Sequence, residues 1–181
     1  MNHHDHVTLL RDGVPTPGGV WADLGSGEGA FTLALADLLG PSGEIYSLDR
    51  DQGALRSQER AMRAQFPDIT VHYQVADFTQ PLDLPPLDGI VMANALHYVR
   101  REQQLDVVRR LRGHLRAGGR LILLEYDTDH GNTWVPYALS YPSWARLAEQ
   151  AGFSQTRLLH TVPSRFLGRM YAAASDNGPA A

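Results

Sequence analysis

The stretch from Gly19 to Phe31 constrains the fold of this chain more than any other. An apolar run that ends in Asp23-Leu24 breaks into a loop with glycine at positions 25, 27 and 29, and apolar residues then return with helical spacing. Glycine has no Cβ, so such a loop adopts positive φ angles and lets a ligand lie against the main chain. A helix beginning near Ala30 points its unpaired N–H groups at an entering anion. The stretch therefore predicts a strand, a tight turn and a helix that cradle a nucleotide-type cofactor.

The spacing of this loop fits two kinds of cofactor. Gly25-x-Gly27-x-x-Ala30 satisfies the dinucleotide-binding fingerprint in its G/A form. The segment Asp23-Leu24-Gly25-Ser26-Gly27-Glu28-Gly29 also resembles the first motif of class I S-adenosylmethionine (SAM) dependent methyltransferases. Asp23 favours the second, because an acid two residues before the first glycine can face the ammonium group of an amino-acid moiety. Its alternative role is to cap a turn at the end of the strand.

Composition excludes several classes of function. The 181 residues suit one domain, which we place over 1–181. There is neither a membrane-spanning apolar run nor a signal-peptide pattern, so we expect a cytoplasmic protein with no membrane partner. The chain has no cysteine, and all 16 of its basic residues are arginine, which excludes thiolate metal sites, thiol nucleophiles and Schiff-base lysines; we assign no metal site. A net charge of −4 argues against a nucleic-acid partner.

The rest of the chain alternates helical and strand patterns. Apolar residues at helical spacing predict helices over about 30–39, 52–65, 101–115 and 140–151, and short apolar runs predict strands at 44–48, 69–75, 87–92 and 120–126. Strands at 155–162 and 166–173 flank a Pro163-Ser164 turn, which predicts an antiparallel hairpin. We expect a short mobile arm over residues 1–18 and a frayed tail over residues 175–181.

Polar side chains follow the strands at the edge where an open α/β sheet binds ligands. Asp49 ends the second strand, where its two carboxylate oxygens can accept from both hydroxyls of a ribose; alternatively it caps the next helix. Asp77 and Phe78 follow the third strand and suit an exocyclic adenine amine, which favours SAM over a nicotinamide dinucleotide. Asn94 and His97 follow the fourth strand, so we place them in the same crevice.

Together these segments resemble the small-molecule group of class I SAM-dependent methyltransferases over roughly residues 18–173. Further matching pieces are Ala95-Leu96-His97-Tyr98, Leu115-Arg116-Ala117-Gly118-Gly119 and Ala151-Gly152-Phe153. The resemblance implies an α/β, Rossmann-like, doubly wound sheet of seven mostly parallel strands, in the order 3-2-1-4-5-7-6 with strand 7 antiparallel. It also implies SAM as cofactor and S-adenosylhomocysteine as product. The residues that we assign to cofactor binding are Asp23, Gly25, Ser26, Gly27, Asp49, Arg50, Asp77, Phe78 and Asn94.

The long loop after the fifth strand carries the residues that we assign to the methyl acceptor, namely Tyr126, His130, Trp134 and Tyr137, with Glu125 beside them. Aromatic lining suits a flat or cationic small molecule. The expected chemistry is in-line transfer of the methyl group to an oxygen or nitrogen atom, which chiefly requires that the partners are held in line and water is excluded. His97 is the candidate catalytic base, since histidine titrates near neutral pH; its alternative role is to pack against or hydrogen-bond a pocket wall.

Two other functions stay open: a reductase that uses nicotinamide adenine dinucleotide (NAD), and a catalytically silent SAM-binding protein that acts on a partner. Asp77 and the lack of room for a separate substrate domain argue against the reductase. Only about 18 residues precede the first strand, whereas larger members of the resembled family place substrate-covering helices there. We therefore expect a pocket that is open, closed by the loop over 127–139, or completed by a second subunit in a homodimer.

Overall fold

The computed structural model describes residues 1–178 of the chain, and this part contains seven strands and five α-helices. The strands are β1 (Gly19–Leu24), β2 (Gly43–Asp49), β3 (Thr70–Val75), β4 (Leu87–Ala93), β5 (Leu115–Tyr126), β6 (Gln155–Ser164) and β7 (Gly168–Asp176). The α-helices are α1 (His3–Arg11), α2 (Ala30–Leu39), α3 (Gln52–Gln65), α4 (Arg101–Arg112) and α5 (Tyr141–Ala151). Short 3-10 helices lie at Gly40–Ser42 and Leu96–Tyr98.

The strands form one sheet in the order β3-β2-β1-β4-β5-β7-β6. Strands β1 to β5 pair in parallel, and β7 is antiparallel to both of its neighbours, β5 and β6. The predicted fold class and strand order are therefore confirmed. The chain turns back between β1 and β4, and this reversal creates the crevice at which open α/β sheets bind ligands.

Helices cover both faces of the sheet. Successive residues of a strand point to opposite faces, so Trp21 packs with α1 and α2 on one side while Ala22 packs with α4 and α5 on the other. Trp144 of α5 is fully buried in the second of these two clusters. Because both faces are covered, the inner strands are mostly apolar on both faces, as residues 89–93 of β4 show in the sequence.

Residues 3–11 form helix α1, so the predicted mobile arm over 1–18 is wrong for this segment. Asn2 caps the helix by accepting from the Asp5 N–H at 3.0 Å, and the Asp5 carboxylate accepts in return from the Asn2 N–H at 2.9 Å. Val7, Leu9 and Leu10 are buried against α2 and the sheet. The reciprocal capping pair was visible in the sequence and is the signal that the prediction missed.

Other boundaries differ by a few residues. Helix α4 ends at Arg112 rather than 115, because β5 begins at Leu115, where it pairs with Leu87 before an irregularity in register. The predicted frayed tail is wrong at its start, since β7 continues to Asp176 and Ser175 is fully buried. The rest of that prediction, at 179–181, lies outside the described residues. Within residues 1–178, none of the helices has the length and apolar character that crossing a bilayer requires.

Candidate functional site

The glycine loop joins β1 to α2 as predicted. The N–H groups of Gly25 and Ser26 donate to the carbonyl of Leu48, which ties the loop to β2. Gly25 has a φ of +73°, and a Cβ there would lie 2.7 Å from the Cβ of Ala95, so only glycine fits. Gly29 begins α2 with no side-chain hydrogen bond at the cap, which leaves N–H groups of the first turn available to an anion.

A cavity of about 270 Å³ opens at the carboxyl ends of β1 to β4, where the chain reverses across the sheet. Six of the nine predicted cofactor residues line it: Gly25, Asp49, Arg50, Asp77, Phe78 and Asn94. The sequence analysis did not assign the other lining residues, which are Ala76, Thr79, Ala95, Tyr98 and Val99. All five lie within two residues of an assigned one. The motifs therefore predicted which segments form this wall, but not every residue that lines it.

Asp49 both holds the loop and lines the cavity. Its Oδ2 accepts from the N–H of Gly27 at 2.8 Å, and its Oδ1 accepts from the N–H of Asp51 at 2.8 Å. Asp51 caps α3, because its carboxylate accepts from the first-turn N–H groups. The capping role considered for Asp49 thus belongs to Asp51. Each oxygen of Asp49 keeps lone-pair capacity for a further donor.

Asp77 presents a charged carboxylate to the same cavity. Its Oδ1 accepts from the N–H and the hydroxyl of Thr79, at 2.9 and 2.7 Å, and its Oδ2 lies 3.9 Å from Nη1 of Arg50. Burial alone would raise the pKa of Asp77, but the Thr79 hydrogen bonds and the Arg50 charge together lower it. The carboxylate is therefore ionised at neutral pH and accepts hydrogen bonds only.

Asn94 is an unsatisfied residue in the cavity wall. Among residues 1–178 it is the one non-glycine residue with a positive φ, at +52°. Its side-chain Oδ1 is buried and has no hydrogen-bond partner in the described part of the chain. An unpaired buried acceptor costs about 1–3 kcal/mol, and residues in rare backbone conformations concentrate at ligand sites. Asn94 therefore has two features of a ligand-site residue, and it lines the cavity.

Asp23 lies beneath the loop and is not among the cavity-lining residues. It is 1% exposed, and its Oδ2 accepts from the Thr32 hydroxyl at 2.6 Å. Burial raises its pKa to about 7, against a smaller opposing effect of that hydrogen bond. The predicted contact of Asp23 with an ammonium group stays a prediction. Ser26 likewise points its hydroxyl below the loop, where it donates to Gln58.

His97 forms a buried pair with Glu125. Its Nδ1 lies 2.6 Å from one carboxylate oxygen, and its backbone N–H donates to the other at 3.1 Å. The two side chains are 2% and 0% exposed. A carboxylate can only accept, so Nδ1 carries the proton and a neutral ring keeps a lone pair on Nε2. His97 does not line the cavity; Tyr98, which does, lies against its ring at 4.3 Å between centroids.

The predicted acceptor residues separate into two pairs. The Tyr126 ring lies 6.2 Å from the His97 ring, and the Tyr137 N–H donates to the His97 carbonyl at 3.0 Å. His130 and Trp134 are exposed, and no ring contact within residues 1–178 joins either to His97. The sequence analysis missed Phe166, which lies 5.8 Å from the Tyr126 ring. Phe166 comes from the tip of the terminal hairpin, so only the tertiary fold brings it here.

Comparisons with known proteins agree with this geometry. Residues 22–119 match the family model described as "Methyltransferase domain". Mouse acetylserotonin O-methyltransferase is 32% identical over 166 residues, which cover 79% of this chain but 41% of that protein. The chain thus spans about two fifths of the length of this curated relative.

Solved structures share the fold. The YcgJ protein of Bacillus subtilis superposes with a TM-score of 0.79 at 12% identity, covering 98% of this chain and 100% of that one. The Burkholderia thailandensis 1,6-didemethyltoxoflavin-N1-methyltransferase, bound to its substrate and S-adenosylhomocysteine, gives 0.76 at 14% identity, covering 98% and 78%. At these identities the likeness concerns the fold, whereas the family-model match covers more than half of the chain. The chain therefore belongs to the methyltransferase domain family, which confirms the predicted class I SAM-dependent methyltransferase group with SAM as its cofactor.

Proposed function

We propose that this chain transfers a methyl group from SAM to an oxygen or nitrogen atom of a small-molecule acceptor. One observation carries the proposal: the glycine loop, two acidic strand ends and Asn94 meet at a single cavity. SAM carries a carboxylate, an ammonium group, two ribose hydroxyls and an adenine amine. The carboxylate matches a helix N-terminus. The ammonium, hydroxyl and amine groups match hydrogen-bond acceptors, and both kinds of partner are present here.

The chain's own residues have distinct roles in this proposal. The uncapped first turn of α2 takes the carboxylate, Asp49 accepts from the ribose hydroxyls, and Asp77 accepts from the adenine amine beside Phe78. Asp23, Ser26, Gly27 and Arg50 belong to the same assignment. Asp23 faces the ammonium group, and Ser26 acts through the shape of the loop. When bound, SAM supplies a methyl group made electrophilic by a sulfonium. Rate enhancement by the chain then comes from positioning and exclusion of water.

His97 would take the proton of the acceptor at Nε2. Glu125 would hold the ring in the required tautomer and stabilise the imidazolium that forms, because it accepts from Nδ1. For this to happen the exposed Tyr98 ring, which lies against His97 and lines the cavity, has to turn aside. The burial of His97 and its contact with the cavity-lining Tyr98 also support its alternative role, which is to pack against a pocket wall.

The acceptor assignment rests on the aromatic rings near His97. Tyr126 and Phe166 offer flat faces there, and Tyr98 is 57% exposed at the cavity. Such faces favour a planar or cationic small molecule. The names of the mouse O-methyltransferase and the Burkholderia N1-methyltransferase support an oxygen or nitrogen acceptor. His130 and Trp134 stay in the proposal as the outer wall, reached by movement of the loop over 127–139, and Tyr137 stays in it beside His97.

The cofactor assignment is tested by calorimetry with S-adenosylhomocysteine. Asp49→Ala removes a charge-assisted contact worth about 1.5–3 kcal/mol, so affinity should fall roughly 10- to 150-fold. Asp68→Ala, which removes an exposed acid before β3, is the matched control and should bind like the wild type. Equal affinities in the two variants would remove Asp49 from the site.

The transfer itself is tested with methyl-labelled SAM and a panel of phenols, amines and a structured RNA. Label in phenols or amines supports the proposal, and label in the RNA alone would replace the small-molecule acceptor. Normal binding with no transfer to any acceptor would favour the silent SAM-binding alternative. The net charge of −4 supports a small-molecule acceptor over a nucleic acid. A homodimer and a cytoplasmic location stay predictions of this proposal.

A further inference from the structure

A buried polar network lies beneath the glycine loop and is centred on Gln58 of α3. The side chain of Gln58 is 0% exposed. Its Nε2 donates to the hydroxyl of Thr32, which in turn donates to Asp23 at 2.6 Å. Its Oε1 accepts from the hydroxyls of Ser47 and Ser26, at 3.0 and 3.3 Å. One amide group thus connects α2, β1, β2 and the loop.

The two ends of the Gln58 amide have partners with opposite hydrogen-bonding needs: one partner needs a donor, and the others need an acceptor. The Thr32 hydroxyl has committed its hydrogen to Asp23, so it can only accept from residue 58. The hydroxyl of Ser26 donates to the amide oxygen of Gln58, and the single hydroxyl hydrogen of Ser47 is shared between that oxygen and the Ser26 oxygen, at 3.0 and 2.8 Å. A neutral amide satisfies a donor and an acceptor at once, whereas an apolar side chain of the same length satisfies neither.

The same side chain touches the loop at a second point. A Cβ on Gly29 would lie 2.3 Å from Cγ of Gln58, so the stem of Gln58 packs directly against the residue that begins α2. Ser26 and Gly29 are also joined to each other, since the Gly29 N–H donates to the Ser26 carbonyl at 2.9 Å. Gln58 therefore holds both ends of the segment that contains Gly27.

We propose that Gln58 is a positioning residue for the cofactor: from α3 it holds the 26–29 segment, which joins the cavity-lining Gly25 to the first turn of α2. Gln58 itself does not line the cavity, so it acts through the hydroxyl of Ser26 and the backbone of Gly29. The proposal rests on the proposed function, because it assumes that this loop receives SAM. It adds a residue from outside the recognised sequence motifs.

The test compares Gln58→Met with Met62→Ala. Both residues are buried on α3 one turn apart, but Met62 belongs to the apolar cluster against α1 and α2. Gln58→Met should weaken binding of S-adenosylhomocysteine about tenfold, a change of about 1.4 kcal/mol in calorimetry. In the protein without ligand, the amides of Gly27 and Gly29 should exchange hydrogen faster. Met62→Ala should lower the unfolding free energy yet leave both readouts unchanged.

A second variant separates positioning from general destabilisation. Ser47 is fully buried, links Gln58 to Ser26 and does not line the cavity. Ser47→Ala should weaken binding on its own, and its effect should be non-additive with that of Gln58→Met, since both break one network. If Gln58→Met does not fold, the same two measurements, affinity for S-adenosylhomocysteine and amide hydrogen exchange at Gly27 and Gly29, are made on Ser47→Ala instead.

The outcomes of the two proposals are distinguishable. Additive effects of the two substitutions, or equal losses of affinity in Gln58→Met and Met62→Ala, would overturn the positioning role. Wild-type protein that fails to bind S-adenosylhomocysteine would instead overturn the proposed function. In that event the exchange rates of Gly27 and Gly29 still decide whether Gln58 fixes the loop.

Discussion

At the scale of single residues, two acids at the same edge of the sheet are kept in different charge states by their surroundings. Asp77 gains two hydrogen bonds from Thr79 and lies near Arg50, so its pKa is lowered despite partial burial. Asp23 is fully buried and accepts from Thr32, and burial raises its pKa to about 7. The cavity therefore holds a permanent anion at Asp77, with a carboxyl group that titrates near neutrality beneath the loop.

The raised pKa of Asp23 predicts a pH-dependent stability. The group prefers its proton in the folded state, so its contribution is fully present below about pH 4, the unfolded pKa, and is lost as pH rises through about 7. Over that window the loss is on the order of 4 kcal/mol. Asn does not titrate, so Asp23→Asn removes this loss. The unfolding free energy of the variant minus that of the wild type should therefore increase as the pH rises. Urea unfolding of the ligand-free protein across this pH range measures it, and a constant difference would contradict it.

His97→Gln should slow methyl transfer by about 10²- to 10⁴-fold, the usual contribution of a general base. A glutamine amide can still donate to Glu125, which avoids leaving a buried carboxylate unpaired. Affinity for S-adenosylhomocysteine should not change, because His97 does not line the cavity. His114→Gln, at the end of α4, is the control. Full activity in the His97 variant would assign that residue to the pocket wall.

Strand ends could be identified from the sequence, whereas contacts between distant side chains could not. Asp49, Asp77 and Asn94 follow apolar runs, and parallel strands bring their carboxyl ends to one edge, so their convergence was predictable. Gln58 shares a helical face with Leu55 and Met62, so the periodicity of α3 places it toward the core, but its partners on α2, β2 and the loop depend on the tertiary fold. The approach of Phe166 to Tyr126 likewise depends on how the last hairpin packs.

At the scale of elements, α1 shows where composition misleads. Its first residues include three histidines and an aspartate, which suggested a polar terminus. Yet His3 pairs with Asp37 at 3.2 Å, and the His6 ring lies 4.7 Å from that of Phe31. The helix thus spreads polar side chains over its neighbours while its apolar side enters the core. Short helices have weak intrinsic preference and depend on such tertiary contacts.

Leu10→Ala tests whether α1 is part of the core. Leu10 is 0% exposed, so the substitution should cost about 2–5 kcal/mol in unfolding free energy. Arg11→Ala, at the exposed neighbouring position, is the control and should have little effect. Urea unfolding measures both. If the Leu10 variant is as stable as the control, the result would support the predicted mobile arm instead.

At the scale of the whole molecule, the architecture was predictable because many weak signals agree. Strands alternate with helices from β1 to β3 and from β4 to β5, a pattern that requires parallel pairing with right-handed crossovers. The exact ends of α4, β5 and β7 were not predictable, because they depend on the irregular register between β4 and β5 and on pairing within the hairpin. Local sequence does not encode either feature.

Ligand-induced stabilisation tests the cofactor on the intact chain. S-adenosylhomocysteine at about 100 times its Kd should add about 2.7 kcal/mol and raise Tm by roughly 5–10 °C. NAD at the same concentration should leave Tm unchanged. Circular dichroism and tryptophan fluorescence should report the same transition if residues 1–181 unfold as one domain. A shift with NAD and none with S-adenosylhomocysteine would favour the reductase.

The position of β7 has a consequence for synthesis on the ribosome. Of the strands in the described residues, β7 is synthesised last, yet it lies inside the sheet, between β5 and β6. While residues up to Ser164 have emerged and β7 is still in the exit tunnel, β6 has no neighbour in the sheet, and the edge of β5 stays open to other chains. The sheet therefore cannot close until β7 has left the tunnel, and until then the nascent protein exposes an unpaired strand edge.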